Sequence, residues 1–485
     1  MRVFELHKRN APHTQRTALI YHGQAINYAD LEQNIEQFTR YFLKIGIQPG
    51  DRVAIALPNC PDFIYCYLGT TRAGGTVVPL NLLQTPRELA FMLQDSGSRF
   101  LIVNPTIAQH IGRLPLPAIT IVILDDKCRQ EIADSPQVSF PNVNENSICT
   151  FLYTSGTTGQ PKAAMLTHAN LIANVKAMEE VSGFSSEDNF LAVLPMFHSF
   201  GWATSVLFPL YLGGAITILD SFKPKELLQV LADEGVTIFC GVPSMFTLLL
   251  KSRQHVVFPK LKFAFSGGDS ISAENLVEFE KKFNTQIIEG YGLSEASPLV
   301  CLNPIHGTRK IRSIGVPLPG VEVKVVNEEA QEIPRHEIGE LIARGPNIMQ
   351  GYFNREEETL STLQDEWLHT GDLAYQDEEG FFFIVGRKKE LIISSGFNVY
   401  PREVELALEE HPGVAEAAVI GAPHPLKGQV VKAFILQEEG HNIGKQELFY
   451  FLKGRLTGYK LPETFVFTSE LPRGASGKIL KRLLG

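Results

Sequence analysis

Helix-like and strand-like segments alternate over about the first 300 residues, and this alternation limits the possible folds more than any other feature of the chain. Leu31, Ile35 and Phe38 recur every three or four residues, as on one face of a helix that Gly46 would end. Residues 85–88, Thr-Pro-Arg-Glu, read as a capping box with proline at the first helical position. Further strands are predicted at 52–57, 100–103, 119–124, 216–219, 237–240 and 263–265, and helices at 225–233 and 273–283. The alternation predicts an α/β fold, with a large N-terminal domain built on mostly parallel sheets.

The pattern changes near residue 321, where short strands and turns with glycine or proline replace the long alternation. Antiparallel strands of a small β-subdomain are predicted at 321–326, 339–345 and 381–387. Beyond them, the patterns predict helices at 403–409 and 446–456 and strands at 416–420 and 430–436. We therefore expect a small α+β domain at the C-terminus, with a boundary near Gly386.

The composition is that of an ordinary globular protein, with 44% hydrophobic and 20% charged residues among 485. A formal net charge of -9 gives no electrostatic sign of nucleic-acid binding. The six cysteines are scattered without a C-x-x-C pair, which favours reduced thiols over disulfides or a zinc site. The N-terminal residues have no apolar leader, and no apolar run approaches the ~18 residues that a membrane span needs. These features predict a cytoplasmic protein without a transmembrane segment.

Residues 153–168, YTSGTTGQPKAAMLTH, carry the chemistry expected of a site for ATP. Glycines let backbone amides approach a polyphosphate, hydroxyl groups add neutral donors, and Lys162 supplies a positive charge. The segment is not a Walker A loop, because Gly156 and Gly159 are too close together and Ala163 follows the lysine. A flexible turn rich in glycine, serine and threonine is the alternative that this segment alone leaves open.

Five further segments accompany this one along the chain: PMFHSFG at 195–201, EGYGLSEASP at 289–298, WLHTGDL at 367–373, GRKKELIISSGFNVYPREVE at 386–405 and LPRGASGKIL at 471–480. Together they resemble, in content and order, the motifs of the adenylate-forming enzymes, which include acyl- and aryl-CoA synthetases, firefly luciferases and nonribosomal-peptide adenylation domains. The resemblance covers essentially the whole chain, and within the family it is most similar to the fatty-acyl-CoA synthetases.

The resemblance implies a set of nucleotide-binding residues: Thr154, Ser155, Gly156, Thr157, Thr158, Gly159, Lys162, Glu289, Tyr291, Gly292, Ser294, Asp372 and Arg387. Among them, Tyr291 would lie against adenine, Ser294 would reach a phosphate, and Asp372 would accept hydrogen bonds from both ribose hydroxyls. Glu295 would hold Mg²⁺, an ion that proteins usually bind through one or two carboxylates together with phosphate oxygens.

By the same resemblance, Lys478 would be the catalytic lysine, since an ammonium on a loop can reach the negative charge that concentrates between carboxylate and α-phosphate. Lys389 would be the hinge about which the C-terminal domain turns after the first step. That rotation would withdraw Lys478 and present Ser395, Gly396 and Phe397 to a tunnel for the pantetheine arm of CoA. The implied domains are an ATP- and acyl-binding domain at 1–385, a hinge at 386–389 and a mobile catalytic lid domain at 390–485.

His198 is the third predicted catalytic residue, placed by the resemblance where the carboxylate site meets the acyl pocket. Amino-acid-activating relatives carry an aspartate after an aromatic residue here, whereas this chain has Phe197-His198, which disfavours amino-acid substrates. The predicted pocket has apolar or small residues without a fixed charge, as an alkyl or neutral aryl tail requires. These residues are Phe200, Trp202, Thr204, Gly267 and Gly268, and they would serve equally well as ordinary core.

The resulting prediction is an AMP-forming acid–thiol ligase that binds ATP, Mg²⁺ and CoA. It would convert a medium- or long-chain fatty acid and ATP to acyl-AMP and pyrophosphate, and then transfer the acyl group to CoA. Two alternatives stay open: an acyl-AMP ligase that loads the phosphopantetheine arm of a carrier protein, and an aryl-CoA ligase. A non-catalytic acyl or nucleotide sensor is disfavoured, because Lys478 and Glu295 are both present. The sequence leaves open whether the protein forms a homodimer.

One position departs from the family pattern. Glycine usually follows the lysine of the first motif, whereas Ala163 and Ala164 follow Lys162 here. Alanine would cost about 1 kcal/mol or more if this position required a positive φ. The expected consequence is a modest change in ATP affinity rather than inactivation.

Overall fold

The structure, a computed structural model, describes residues 1–9, 14–111, 116, 118–155, 161–252, 256–474 and 479–484. Its strands are β1 (Thr17–Tyr21), β2 (Gln24–Asn27), β3 (Arg52–Ala56), β4 (Thr76–Pro79), β5 (Phe100–Val103), β6 (Thr120–Ile123), β7 (Ile148–Ser155), β8 (Pro161–Thr167), β9 (Asn189–Ala192), β10 (Ala215–Ile218), β11 (Ile238–Gly241), β12 (Phe263–Ser266), β13 (Gln286–Gly292), β14 (Leu299–Leu302), β15 (Val316–Pro317), β16 (Glu322–Val326), β17 (Gly339–Arg344), β18 (Leu363–Gln364), β19 (Trp367–Gln376), β20 (Phe382–Arg387), β21 (Ile392–Ser394), β22 (Phe397–Val399), β23 (Val414–His424), β24 (Gly428–Gln437) and β25 (Thr464–Thr468).

The α-helices are α1 (Tyr28–Lys44), α2 (Pro61–Arg72), α3 (Pro86–Ser96), α4 (Pro105–Ile111), α5 (Asp126–Ala133), α6 (His168–Ser182), α7 (Ser199–Trp202), α8 (Phe208–Leu212), α9 (Pro224–Asp233), α10 (Pro243–Leu250), α11 (Ala273–Phe283), α12 (Glu356–Thr362), α13 (Pro401–Glu409) and α14 (Lys445–Lys453). A π-helical stretch, Ala203–Leu207, joins α7 to α8. Short 3-10 helices cover Val3–Lys8, Ser294–Ala296, Lys388–Glu390, Gly458–Lys460 and Lys481–Leu483.

The chain divides into two compact units. The first contains residues 1–311, 315–322 and 344–368, and the second contains residues 312–314, 323–343 and 369–485. The second unit therefore includes most of the predicted β-subdomain together with the whole of the predicted C-terminal domain. The proposed hinge at 386–389 lies within this unit, and its role as a hinge stays a prediction.

Two sheets, both with parallel centres, form the first unit. One has the order β6-β5-β3-β4-β7-β8, in which β8 is antiparallel to β7 and the other neighbours are parallel. The other has the order β15-β14-β13-β12-β11-β9-β10-β1-β2, with antiparallel pairing only at its two ends. Parallel strands are almost always covered by helices on both faces, and their residues here are largely buried. The predicted α/β fold is confirmed.

Local sequence signals explain several element boundaries. α1 begins where the Asn27 side chain accepts a hydrogen bond from Asp30 N at 2.8 Å, and Gly46 beyond its end has a φ of +94°. The predicted capping box at the start of α3 is confirmed, because Thr85 and Glu88 each bond the other's backbone amide.

The structure adds elements to the prediction and shifts some bounds, as three examples show. The first motif lies on an antiparallel hairpin formed by β7 and β8, although its composition predicts only a loop. β25 was not predicted, and it pairs in parallel with β24. α14 ends at Lys453 rather than at residue 456, because Gly454 is its C-cap residue and glycine favours helix ends.

The second unit contains two smaller sheets. One has the order β16-β17-β19, with β20 antiparallel to β19. The other has the order β22-β21-β24-β23, with β25 beside β24. Between this second sheet and its helices lies a separate apolar core that includes Val404, Leu408, Val419, Ile435 and Leu448. The predicted small β-strand region and α+β arrangement are therefore present.

None of the helices in the described ranges combines the length and the hydropathy that crossing a membrane requires.

Candidate active site

The first motif is carried by the β7–β8 hairpin. β7 ends at Ser155, β8 begins at Pro161, and Thr154 lies opposite Lys162 across the two strands. Four predicted phosphate-binding residues lie outside the described residues: Gly156, Thr157, Thr158 and Gly159. The hairpin therefore brings Thr154 and Lys162 together where the polyphosphate is predicted to bind.

Ala163 and Ala164 lie within β8 and have no positive φ. Both methyl groups are fully buried, and the backbone of a later segment runs beside them. Phe353 N donates to Ala163 O at 2.9 Å, and Tyr352 forms an antiparallel bridge with Ala164. The positive φ that would have made alanine costly is absent, so the expected change in ATP affinity has no basis in the backbone.

Glu295 joins the first motif to the EGYGLSEASP segment. Its carboxylate is buried, and Oε1 accepts hydrogen bonds from Tyr352 OH at 2.8 Å and from Thr154 Oγ1 at 3.3 Å. No donor in the described part of the chain reaches Oε2. A buried carboxylate with one oxygen still available suits a hard cation such as Mg²⁺, which favours carboxylate and phosphate oxygens.

Within the same described ranges, no group of three or more His, Cys, Asp or Glu side chains could hold a metal ion. A cation at Glu295 would be held by this carboxylate together with oxygens of the nucleotide. This donor set fits the predicted Mg²⁺, which usually keeps several water molecules and binds substrate phosphates.

Tyr352 was missed by the sequence reasoning, although it contacts two predicted residues. Lys162 Nζ lies 4.3 Å from the centroid of its ring, and its hydroxyl donates to Glu295. Burial, and then the charge of Glu295 and the hydrogen bond to it, raise the pKa of Tyr352, so the hydroxyl stays protonated and donates. The preceding Gly351 has a φ of +135°, a backbone conformation that favours glycine.

β13 carries three predicted nucleotide-binding residues. Glu289 is buried, and its backbone O accepts a hydrogen bond from Asn303 N at 2.9 Å. Tyr291 lies opposite Cys301 in the antiparallel pair with β14. A Cβ at Gly292 would lie 2.1 Å from Pro298 O, so this close backbone approach requires glycine.

The PMFHSFG segment lies against the EGYGLSEASP segment. Ser199 Oγ and Ser294 Oγ are 3.3 Å apart. His198 is the N-cap residue of α7, and its Nδ1 accepts a hydrogen bond from Phe200 N at 3.2 Å. The backbone thus orients the imidazole ring, while the catalytic role of His198 stays a prediction.

Phe200 and Gly267, two of the predicted pocket residues, are in contact. A Cβ at Gly267 would lie 3.0 Å from Phe200 Cζ and 3.5 Å from Gly290 O. Gly268 follows with a φ of +84°. These residues therefore lie together beside β13, next to Gly290, which directly precedes Tyr291.

Trp202 and Thr204 have the contacts of a packed core. The Trp202 ring is buried, with its centroid 4.2 Å from that of Tyr67 and 5.5 Å from that of Phe63. Thr204 Oγ1 donates to Phe200 O at 2.7 Å. A role for these two side chains in an acyl pocket remains a prediction.

In the second unit, Asp372 and Arg387 lie opposite each other across β19 and β20. Arg387 Nε is 2.8 Å from Asp372 Oδ1, and the Asp372 carboxylate is buried. Thr370 Oγ1 donates to Leu341 O at 2.6 Å and accepts from Asp372 N at 3.1 Å. The hairpin thus fixes the predicted ribose-binding carboxylate beside its predicted arginine.

Glu340 was also missed by the sequence reasoning. Its Oε1 accepts from Gly371 N at 3.1 Å, and its Oε2 lies 3.0 Å from Lys388 Nζ and 3.3 Å from His369 Nδ1. Burial opposes ionisation, but the hydrogen bonds with Lys388 and His369 prevail and lower the pKa of Glu340. Glu340 thereby ties the turn before Asp372 to the residue before Lys389. A lone carboxylate within the apolar strand GELIAR was the available signal.

Ser395 and Gly396 form the tip of the β21–β22 hairpin, with φ of +52° and +82°. The Phe397 ring is 55% exposed and stacks on Tyr459, with centroids 4.7 Å apart. Lys389 lies exposed in the 3-10 helix Lys388–Glu390. Lys478, the predicted catalytic lysine, lies outside the described residues.

Comparison with known proteins identifies the family. Residues 6–353 match the AMP-binding enzyme family, and residues 403–478 match the AMP-binding enzyme C-terminal domain. The chain belongs to this family. The predicted membership in the adenylate-forming enzymes is confirmed, and so is the prediction of an AMP-forming acid–thiol ligase.

Three relatives of this adenylate-forming ligase are close enough to compare along the whole chain. It is 36% identical to a long-chain-fatty-acid–CoA ligase of Bacillus subtilis (strain 168), over 97% of this chain and 91% of the relative. It is 35% identical to a feruloyl-CoA synthase of Amycolatopsis sp, over 98% of this chain and 96% of the relative. A solved o-succinylbenzoate CoA synthetase of Bacillus subtilis, in complex with its acyl-adenylate intermediate, matches with a TM-score of 0.89 and 29% identity, over 100% of this chain and 97% of that one.

Proposed function

We propose that this adenylate-forming ligase activates a long-chain fatty acid as acyl-AMP and transfers the acyl group to CoA. The observation that carries the proposal is the cluster of Thr154, Lys162, Glu295 and Tyr352, which joins three distant segments around one buried carboxylate. The similarity to a long-chain-fatty-acid–CoA ligase at 36% identity supports the choice of acid and of acceptor.

In the first step, a carboxylate oxygen of the fatty acid attacks the α-phosphorus of ATP, and pyrophosphate leaves. Lys162 and the backbone of the first motif offset the charge of the triphosphate. When bound at Glu295, Mg²⁺ would supply further positive charge to the phosphate oxygens. Lys478 neutralises the charge that builds up between the carboxylate and the α-phosphate. Asp372, held by Arg387, accepts hydrogen bonds from the ribose hydroxyls.

In the second step, the thiolate of CoA attacks the acyl carbon, the bond from that carbon to the AMP oxygen breaks, and AMP leaves. His198 lies where the carboxylate meets the acyl pocket and controls the approach of the thiol. Ser395, Gly396 and Phe397 line the path of the pantetheine arm after rotation at Lys389. Excluding water around acyl-AMP limits its hydrolysis.

The acyl tail occupies the region around Phe200, Gly267 and Gly268, with Trp202 and Thr204 behind it. The contact between Phe200 and the backbone at Gly267 supports this location. An aryl acid is the second candidate, because a feruloyl-CoA synthase is 35% identical over 98% of the chain. We place the enzyme in the cytoplasm, as six free cysteines support.

The test is pyrophosphate release from ATP and Mg²⁺ with octanoate, palmitate, oleate, benzoate or ferulate, each with and without CoA. We expect CoA-dependent turnover to be fastest with palmitate or oleate. Faster turnover with ferulate would assign the aryl alternative instead. An acyl-AMP that CoA does not discharge would contradict CoA as acceptor and assign a carrier protein. Glu295→Gln serves as the control that removes the carboxylate at the centre of the cluster.

A further inference from the structure

Asn59 joins the two sheets of the first unit. It is 5% exposed and lies between β3, in the six-stranded sheet, and α2. Its Nδ2 donates to Leu194 O at 3.0 Å and to Leu219 O at 3.2 Å, and its Oδ1 accepts from Met196 N at 2.8 Å. Leu194 and Leu219 follow β9 and β10 of the other sheet. One buried amide thus holds the backbone just before and just inside the PMFHSFG segment.

The three hydrogen bonds of Asn59 require an amide. With its nitrogen and oxygen exchanged, the oxygen would face two carbonyl oxygens and the nitrogen would face a backbone N–H. A carboxylate could not donate to the two carbonyl groups, and an aliphatic side chain would leave three buried backbone groups without this partner. The side chain is therefore chosen for its contacts with the backbone rather than for its volume.

A compact turn directly after this contact places His198. His198 N donates to Pro195 O at 3.0 Å, and Trp202 N donates to His198 O at 3.0 Å. Gly201 packs on the same turn, because a Cβ there would lie 2.8 Å from Pro195 O and 2.9 Å from Leu194 Cβ. The position of the imidazole therefore depends on where the turn is held.

α2 holds the other end of the same segment. The Trp202 ring has its centroid 4.2 Å from that of Tyr67 and 5.5 Å from that of Phe63, and all three rings are buried. Tyr67 and Phe63 belong to α2, which begins two residues after Asn59. His198 thus lies between two contacts with this part of the chain, the Asn59 amide before it and the Trp202 ring after it.

We propose that Asn59 is a positioning residue for His198, and that its amide holds the turn from which the imidazole meets the incoming thiol of CoA. The inference rests on the proposed role of His198 in the second step. Asn59 acts through the backbone of the turn and not by contact with the substrate. Because His198 controls the approach of the thiol, releasing the turn slows acyl transfer from acyl-AMP to CoA more than it slows acyl-AMP formation.

The test compares the two half-reactions in the full-length enzyme. Pyrophosphate release with palmitate reports acyl-AMP formation, and acyl-CoA formation from supplied palmitoyl-AMP and CoA reports acyl transfer. The variants are Asn59→Ala, His198→Ala and the double variant that combines them. The double variant shows whether Asn59 acts through His198, because residues that act as a unit have effects that do not add.

Asn189→Ala is the matched control. Asn189 is also a buried asparagine, with Nδ2 donating to Glu234 O at 3.1 Å and Oδ1 accepting from Thr217 Oγ1 at 3.0 Å. It is the first residue of β9, whereas the turn with His198 follows the last residue of that strand. Asn189 therefore resembles Asn59 in burial and bonding but lies at the strand end away from the predicted site.

We expect Asn59→Ala to lower kcat for acyl transfer by about 100-fold, the scale on which a small misplacement of a catalytic group acts. Pyrophosphate release should slow much less. In the His198→Ala background, Asn59→Ala should slow acyl transfer no further, because the group that the amide positions is already gone. Asn189→Ala should lower stability in urea unfolding as Asn59→Ala does, and should leave both half-reactions at the wild-type rate.

Three outcomes would overturn the inference: acyl transfer by Asn59→Ala at the wild-type rate, an equal loss in both half-reactions, or a full additional loss in the double variant. If Asn59→Ala does not fold, Asn59→Asp decides, because it keeps the side-chain volume and the acceptor for Met196 N. A selective slowing of acyl transfer in Asn59→Asp supports the inference, and any other result overturns it.

The proposed function fails in a different way. Acyl transfer by His198→Ala at the wild-type rate would refute the role of His198, and the inference with it. A wild-type enzyme that forms no acyl-AMP with any acid would refute the proposed function itself.

Discussion

At the scale of single residues, the candidate active site is organised around the carboxylate of Glu295. Thr154, Lys162 and Glu295 were predicted from sequence, because their motifs combine hydroxyls, a lysine and a carboxylate in an order typical of the family. Tyr352 was not, because it reaches Glu295 only through the pairing of its segment with β8. A long-range contact of this kind leaves no local pattern in the sequence.

The first prediction concerns the hydroxyl of Tyr352. Tyr352→Phe keeps the ring beside Lys162 and removes the donor that lies 2.8 Å from Glu295 Oε1. A hydrogen bond to a charged group contributes about 1.5–3 kcal/mol, so kcat/KM for ATP should fall roughly 10- to 100-fold. The rate of pyrophosphate release, measured over a range of ATP and Mg²⁺ concentrations, checks this expectation.

Tyr28→Phe is the matched control for Tyr352→Phe. Its hydroxyl is also buried and donates to Gly214 O at 2.7 Å, but it has no contact with Glu295. We expect Tyr28→Phe to lower stability without changing the dependence on Mg²⁺. If Tyr352→Phe showed the wild-type dependence on ATP and Mg²⁺, the hydroxyl would have no part in holding Glu295.

At the scale of elements, the sequence predicts those that have their own local signal. α11 has the predicted bounds, because an apolar face of 3.6-residue period runs between Ser272, its N-cap, and Asn284. β5 also has the predicted bounds, since a short apolar run is typical of a buried parallel strand. The β7–β8 hairpin was missed, because its Gly- and Thr-rich centre reads as a loop.

The second prediction concerns how Glu340 connects β17, the turn before Asp372 and Lys388. Its pKa lies below the ordinary value of 4.5, so its contribution to stability is fully present above that pH and is lost as the pH falls through the lowered pKa. Glu340→Gln should therefore be less stable than the wild type at about pH 7, and the difference should shrink below about pH 4.5. Urea unfolding across this range measures the difference.

Glu322→Gln is the control for this pH dependence. Glu322 pairs with Arg344 at 2.8 Å, but its side chain is 58% exposed, and exposed ion pairs contribute little to stability. Its stability difference from the wild type should stay small at every pH. A constant difference in stability between Glu340→Gln and the wild type from neutral to acidic pH would contradict an ionised carboxylate with a lowered pKa.

Glu340→Gln should also raise KM for ATP, because the turn before Asp372 loses a charged anchor.

At the scale of the whole molecule, the chain forms two compact units. Residues 354–402 lie between the segments that the two family models match. The proposed hinge at 386–389 falls in this interval. That position is a prediction from the GRKKE run. The sequence could not indicate that residues 312–314 and 323–343 join the second unit, because membership of a unit depends on contacts between distant parts of the chain.

The last prediction tests the hinge through the backbone of Lys389. This residue lies in the first turn of the 3-10 helix Lys388–Glu390, where φ is about -50 to -70° and an amide has no intrahelical acceptor. Proline, with φ fixed near -65°, is compatible with that conformation and resists departure from it. One half-reaction uses the backbone conformation that Lys389 has in this structure, and Lys389→Pro should preserve it. The same variant should slow the other half-reaction by about 100-fold. Lys389→Ala removes the side chain and leaves the backbone mobile. Both half-reactions of Lys389→Ala should therefore be faster than the slowed half-reaction of Lys389→Pro. A hinge is required only to pass between the two steps. Wild-type rates for both steps in Lys389→Pro would therefore contradict rotation at this residue. An equal loss of rate in both steps would indicate damage to the fold instead.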